Sequence, residues 1–335
     1  MPETAQPMAS TTTNAAPSWR SRFRGGGALR LESIVVLVVL SAVMAFLSPV
    51  FFSVSNILNI LLSTSVFGVL AIGMTFVISS AGIDLSVGSI LALSGVVGAT
   101  LTSVYDLPWW IGLLGCLGAG ALTGALNGFL VTRGGIPPFI VTLGMLGVAR
   151  GVALVISDGV SIYGLPPEIT WLGQGRPFGV PTPVIVLLLT ALVAHVVLAH
   201  TRFGTYAQVI GDNEGAARAM GVRVDRMKVL IYTLSGLLSG VAGLLFAARV
   251  NSGEPTAGLS YELTAITATI LGGTNLFGGR GSVAGTLIGA LIMGVLQNGL
   301  NLLAVRPFYQ QIAIGAVLIL AVWLDRINSR EGWRR

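Results

Sequence analysis

Apolar runs of about 20 residues recur along this chain from residue 31 to residue 325, and a run of that length is what a helix needs to cross the hydrocarbon core of a bilayer. The runs fall at 31–50, 56–79, 85–103, 109–131, 138–157, 182–200, 227–248, 263–278, 283–303 and 308–325. The run 263–278 is short and rich in Gly and Thr, so it is expected as a span or as a broken helix covered by protein or water. The predicted fold class is therefore an all-α integral membrane protein with about ten transmembrane helices. Composition points the same way. Of 335 residues, 53% are hydrophobic and 10% are charged, and mean hydropathy is +0.85, whereas a soluble domain carries about a quarter charged residues.

Charge placement orients the bundle. Cytoplasmic loops of membrane proteins carry an excess of Lys and Arg. With ten spans and both termini in the cytoplasm, the outer loops hold only Arg176, Arg249 and Arg306, and Arg150 falls within a span. The rest of the 19 Lys and Arg lie on the cytoplasmic side. Residues 1–30 begin polar and rich in Ser, Thr, Ala and Pro, and are expected as a disordered cytoplasmic segment rather than a signal peptide. Residues 31–325 form the membrane domain and 326–335 a cytoplasmic tail.

The same distribution excludes several functions. The net charge of +6 sits in loops, so no nucleic-acid partner is expected. Lys228 is the only lysine and no glycine-rich loop precedes it, so the chain carries no phosphate-cradling P-loop of its own. One cysteine, Cys116, allows neither an internal disulfide nor a thiolate metal cluster. His195 and His200 lack zinc-site spacing and mark the interfacial end of a helix; no metal site is expected.

Against this background GTYAQVIGDNEGAARAMGV (204–222) stands out, in the longest internal loop, 201–226. Its grammar is a short helix over about 212–221. Asp212 or Asn213 can cap its N-terminus, and Glu214 sits in the first turn, where the helix dipole favours an anion. Arg218 follows four residues later, in the favourable order for an ion pair, and Gly221 can close the helix in a left-handed cap. Ala216, Ala217 and Met220 form a small apolar face. Two turns are too short to be stable alone in water, so this helix must lie on lipid, on its own bundle or on a partner.

Within the spans, Gly120, Gly124 and Gly128 recur every four residues, as do Gly281, Gly285 and Gly289; such spacing serves close helix packing, static or moving. A faint internal repeat relates GMTFVISSAGIDLSVGSILALSGVVGA (73–99) to AITATILGGTNLFGGRGSVAGTLIGAL (265–291). Asp84 is an acid close to a membrane-buried turn; it or Ser86 either caps the third span or belongs to a pathway or gate. Arg150 is expected to pair with an acid or with helix carbonyls.

The segments GGIPPFIVTLGMLGVARGVAL (134–154), AGIDLSVGS (81–89), GDNEGAARAMGVRVDRMKVLIYTLSGLLSGVAGLL (211–245) and PTAGLSYELTAITATILGGTNLFGGRGSVAGTLIGALIMGVLQNGLNLL (255–303) resemble the membrane permeases of ribose-type sugar ABC importers, and the resemblance covers about 31–325. It implies a permease in a bacterial inner membrane that works as a homodimer. Its partners would be a cytoplasmic ATPase with two nucleotide-binding cassettes and a periplasmic or lipid-anchored sugar-binding protein. ATP and Mg would be bound by the ATPase, with no cofactor on this chain. The short helix is similar to the family's coupling helix, which implies docking through Asp212, Asn213, Glu214, Ala217, Arg218, Met220 and Gly221. A sugar pathway needs hydroxyl and amide partners, so Asp84, Ser86, Asn127, Thr142, Gln297, Asn298 and Asn301 are its candidates; in-span amides also serve as glue between helices. The loops 158–181 and 249–262 would receive the binding protein, with Glu168, Arg176, Arg249 and Glu254 as rim contacts. Another small polar solute (a polyol, a branched-chain amino acid or a nucleoside) is the alternative cargo. A proton- or ion-coupled carrier is the alternative class; it would be expected to place several acids or histidines inside its spans.

Overall fold

The computed structural model describes residues 31–332; the predicted N-terminal segment 1–30 and residues 333–335 lie outside them. The described residues hold thirteen α-helices. They are α1 (Leu31–Leu47), α2 (Val54–Ser79), α3 (Val87–Ala99, continued by a π-turn over Thr100–Val104), α4 (Trp109–Thr132), α5 (Pro138–Ile156), α6 (Pro167–Gln174) and α7 (Thr182–His200). Then come α8 (Arg202–Asp212), α9 (Glu214–Ala219), α10 (Val224–Val250), α11 (Tyr261–Leu271), α12 (Val283–Leu302) and α13 (Pro307–Gly332). Two short strands, β1 (Ile162–Tyr163) and β2 (Ser252–Gly253), pair antiparallel and tie together the two loops predicted to face outward.

Among the described residues, seven helices are long and apolar enough to cross a membrane: α2, α3 with its π-turn, α4, α5, α7, α10 and α12. The protein is thus a multi-pass membrane protein. The other three predicted runs are shorter apolar helices, namely α1, α11 and the Pro307–Trp323 part of α13. The last helix runs on to Gly332, past the predicted start of a tail at 326. The run 263–278 is the one broken short. α11 has 11 residues and rises roughly 16 Å, half the hydrocarbon thickness, before Gly272 and Gly273 stop it, Gly273 at φ 91°.

α2 is the hub. Every residue from Thr64 to Ser79 is buried, as expected of a helix that is apolar on all sides. The glycine series are packing devices within the chain. Gly120 and Gly124 of α4 meet Gly236 of α10 backbone to backbone, and Gly128 meets Val229. Gly285 and Gly289 of α12 lie against Gly272 and Ala268 at the end of α11, and Gly281 lies against Ser79. A side chain on Gly124 would run into the Tyr232 carbonyl.

The two segments 73–99 and 265–291 each form helix, turn, helix, and they touch. Thr75 Oγ1 lies 2.7 Å from Thr286 Oγ1, and the Gly279 amide donates to the Ser79 carbonyl at 3.0 Å. Their turns differ. Ser282 caps α12 by accepting from the Gly285 amide at 3.1 Å, whereas Ser86, at the start of α3, makes no such bond and turns its hydroxyl inward.

Candidate functional site

The loop helix forms as its residue order dictates. Of the two candidate caps, Asn213 takes the position: its Oδ1 accepts from the Ala216 amide at 2.9 Å. At the other end Gly221 adopts φ 82°, the Gly221 amide donates to Arg218 O and the Val222 amide to Ala217 O, both at 3.0 Å. The expected Glu214–Arg218 pair is present at 3.1 Å.

Two further charges join it. Arg218 donates to Asp225 at 2.5 Å and Lys228 to the other Glu214 oxygen at 2.6 Å, so α9 is clamped to the first turn of α10 by four charges. The Lys228 hydrogen bond, with Arg218 behind it, holds the Glu214 carboxyl below its ordinary range, and Asp225 with Glu214 holds the Arg218 guanidinium above its own. The apolar face is divided. Ala217 is fully buried against Ile210 and Val224, so it anchors α9 to its own chain, while Ala216 and Met220 are exposed. Beside them, Asp212 is exposed at the end of α8, and Gly211 is pressed against Ser79 and Gly279. This stacks the loop helices on the ends of α2 and of the α11–α12 turn.

The second feature lies deep in the bundle. Asp84, Ser86, Asn127 and Thr142 come together there around the α2–α3 turn, and all four are buried. Asp84 Oδ1 accepts from the Ser86 amide at 3.0 Å and its hydroxyl at 2.5 Å. Asp84 Oδ2 accepts from Ser235 Oγ of α10 at 3.0 Å. Asn127 Nδ2 of α4 donates to Ser86 Oγ at 2.8 Å. The Ile83 carbonyl accepts from Tyr232 and from Thr142, each at 3.3 Å. Ser235 stands roughly 17 Å along α10 from Val224 and is buried. Asp84 closes the turn onto Ser86 two residues on; it does not cap α3 in the usual sense.

The remaining candidates lie elsewhere. Asn298 donates to Asn56 at 2.9 Å and Asn301 accepts from Gln310 at 2.8 Å, both as bridges between helices near the far end of α12. Gln297 is partly buried beside them. Arg150 grips the carbonyls of Pro255 and Ala257 at 2.5 and 2.7 Å. Glu168 and Arg176 are exposed on and beside α6. Arg249 is partly buried, and its carbonyl accepts from Gln174 at 3.2 Å. Glu254 is already engaged, by Ser161 and by Thr256 at 2.7 Å, and the Ser161 hydroxyl holds its carboxyl below the ordinary range.

Sequence reasoning missed Ser235 and Tyr232, hidden in the small-residue run of α10, and Glu262, a partly buried acid at the start of α11 next to Gly88. The signal for Glu262 was an acid opening an apolar run; its position beside α3 is a matter of tertiary structure.

Span-length helices around a buried polar turn, with a clamped charged helix held out at one end, make the build of a membrane transport subunit. The chain belongs to the family described as branched-chain amino acid transport system / permease component, whose model matches residues 56–322. It is 44% identical over 317 residues to the ribose import permease protein RbsC of Escherichia coli K12, covering 93% of this chain and 98% of that one. To the ribose import permease protein RbsC of Bacillus subtilis 168 it is 47% identical over 303 residues (90% and 94%), and to the D-allose transport system permease protein AlsC of Escherichia coli K12 39% over 296 residues (88% and 91%). The resemblance to ribose-type permeases drawn from the motifs therefore stands.

Proposed function

We propose that this chain is the membrane subunit of an ATP-binding-cassette importer that carries a monosaccharide, a ribose-like pentose first, across a bacterial inner membrane. Its relatives named for ribose support the cargo, since they match at 44% and 47% identity over nearly their whole length. The family's own description keeps a branched-chain amino acid as the second cargo to test.

The observation that carries the coupling role is α9. A helix of six residues is held rigid by a cap at each end and four charges, yet presents Ala216 and Met220 outward. A preorganised element of that kind suits docking into a groove on a partner, because little order remains to be lost on binding. On this reading the partner is a cytoplasmic ATPase with two cassettes, which binds ATP and Mg. This chain pairs with a second copy of itself, with both termini cytoplasmic, and receives sugar from a periplasmic or lipid-anchored binding protein. It breaks no bonds itself.

The test is affinity purification of the wild type and of a Glu214→Lys, Arg218→Glu double variant from native membranes. The swap keeps a pair within α9 but sets Lys against Lys228 and Glu against Asp225, which undoes the clamp. An ATPase subunit is expected with the wild type and not with the variant. Absence of any ATPase, together with uptake by vesicles of this chain alone down a proton or sodium gradient, would replace this reading with that of an ion-coupled carrier.

A further inference from the structure

Four residues of α10 unite the two features described above. Asp225, Lys228, Tyr232 and Ser235 are spaced by three, four and three, so they form one stripe along the helix. The lower pair holds α9, through Arg218 and Glu214. The upper pair holds the α2–α3 turn, through the Ile83 carbonyl and the Asp84 carboxylate. The turn is irregular backbone in which Gly82, Asp84 and Ser86 are buried, and such backbone inside a membrane protein is tolerated where other groups satisfy it. α4 grips it from the other side through Asn127, and α4 is itself locked to α10 where Gly120 and Gly124 meet Gly236. α4 and α10 are therefore packed as one unit, and the turn is the segment they hold between them.

We infer that this stripe is the transmission element of the transporter: displacement of α9 by its partner is passed along α10 to the α2–α3 turn, with Tyr232 and Ser235 as the positioning residues at the receiving end. The inference rests on the proposed coupling role of α9. Three physical points support it. A continuous helix of 27 residues is stiff. Lys228 is mostly buried while Glu214 stays partly exposed, so their bond is only partly screened by solvent and salt. Hydrogen bonds to a carboxylate and a carbonyl are discrete contacts, made or broken, which is how a small shift becomes a switch between two arrangements.

The test follows amide hydrogen exchange in the complex of this chain with the ATPase that co-purifies with it, without nucleotide and with Mg-ATP trapped by vanadate. In the wild type, exchange is expected to change both in 213–221 and in 80–86. In Ser235→Ala and in Tyr232→Phe the change in 213–221 is expected to remain while that in 80–86 is lost. Lys228→Met should lose the response in 80–86 and Lys228→Arg should keep it, which a merely structural role would not produce. Tyr232→Phe removes a single oxygen and preserves the test if Ser235→Ala assembles poorly. An 80–86 segment that responds equally in all variants, or stays silent in the wild type while 213–221 responds, overturns the inference and leaves the coupling role of α9 intact. A wild type that recruits no ATPase defeats the coupling role, and this inference with it.

Discussion

Glu214 accepts from two cations, one on its own helix and one on α10, and this sets how the loop helix answers to pH. Its folded pKa lies below its unfolded one, first through the Lys228 hydrogen bond. Its contribution is therefore complete above the unfolded value, near 4.5, and is lost as pH falls through the lower folded value. Amide protection in 214–220, corrected for intrinsic exchange, should be constant from neutral pH down to about 5 and fall below that, as carboxylates protonate. In Glu214→Gln it should be lower at neutral pH and show less of this fall. An equal fall in both proteins would place the titrating group elsewhere. At this scale the sequence was legible where partners lie within four residues: a cap at Asp212 or Asn213, the Glu214–Arg218 pair and the Gly221 turn follow from local order, and the structure chooses Asn213. Asp225 and Lys228 were not foreseen as partners, because their side chains reach α9 only once the chain has turned at Gly221 and begun the next helix. Ala217 was expected on a docking face for the same reason; what covers it comes from α8 and α10.

Between elements, spacing shows that a glycine series packs but not against what. Within α4, Gly124 meets the α10 backbone, while a side chain on Gly118 would meet nothing within 4 Å. Gly124→Ala should lower thermal stability in mild detergent by the equivalent of roughly 1–3 kcal/mol, the usual cost of overpacking. Gly118→Ala should be neutral or gain up to about 1 kcal/mol of helix propensity. Equal effects would mean that α4 and α10 are not in contact there. Gly144 and Gly147 of α5 also face open space, a difference from the α4 series that the sequence did not display. The buried polar cluster was half legible. Asp84, Ser86, Asn127 and Thr142 stand out as polar residues in apolar runs, whereas Ser235 reads as one more small residue and Tyr232 as an ordinary aromatic. Asn298 and Asn301, selected by the same rule, bridge neighbouring helices instead, since an amide in a span satisfies either need.

For the molecule as a whole, the sidedness of the chain hangs on α11. Among the described residues seven helices have the length of a span, and between α10 and α12 none does. Counted by length alone, the chain would leave α10 on the far side and stay there, so that the 272–282 turn lay opposite the loop helices. The contacts contradict this. The Gly279 amide bonds to Ser79 O, Gly278 lies against Gly211 O, and the Leu271 carbonyl accepts from Ser33 at 2.5 Å, so the turn sits with α8, the end of α2 and the start of α1. α11 and the 251–260 loop that dips to meet it return the chain across the bundle as a pair, the loop backbone being held by Arg150 and by β1. Cysteine labelling decides the matter, since Cys116 can be replaced by Ala to leave a cysteine-free background. Single cysteines at Phe178, Met220 and Phe277, all well exposed, should divide into two groups when the chain is expressed without partners. An impermeant maleimide should reach Phe178→Cys in intact cells, and Met220→Cys and Phe277→Cys only after the membrane is opened. Labelling of Phe277→Cys together with Phe178→Cys would mean that α11 does not return the chain, and the contacts of Ser79 with Gly279 would have to be abandoned with it.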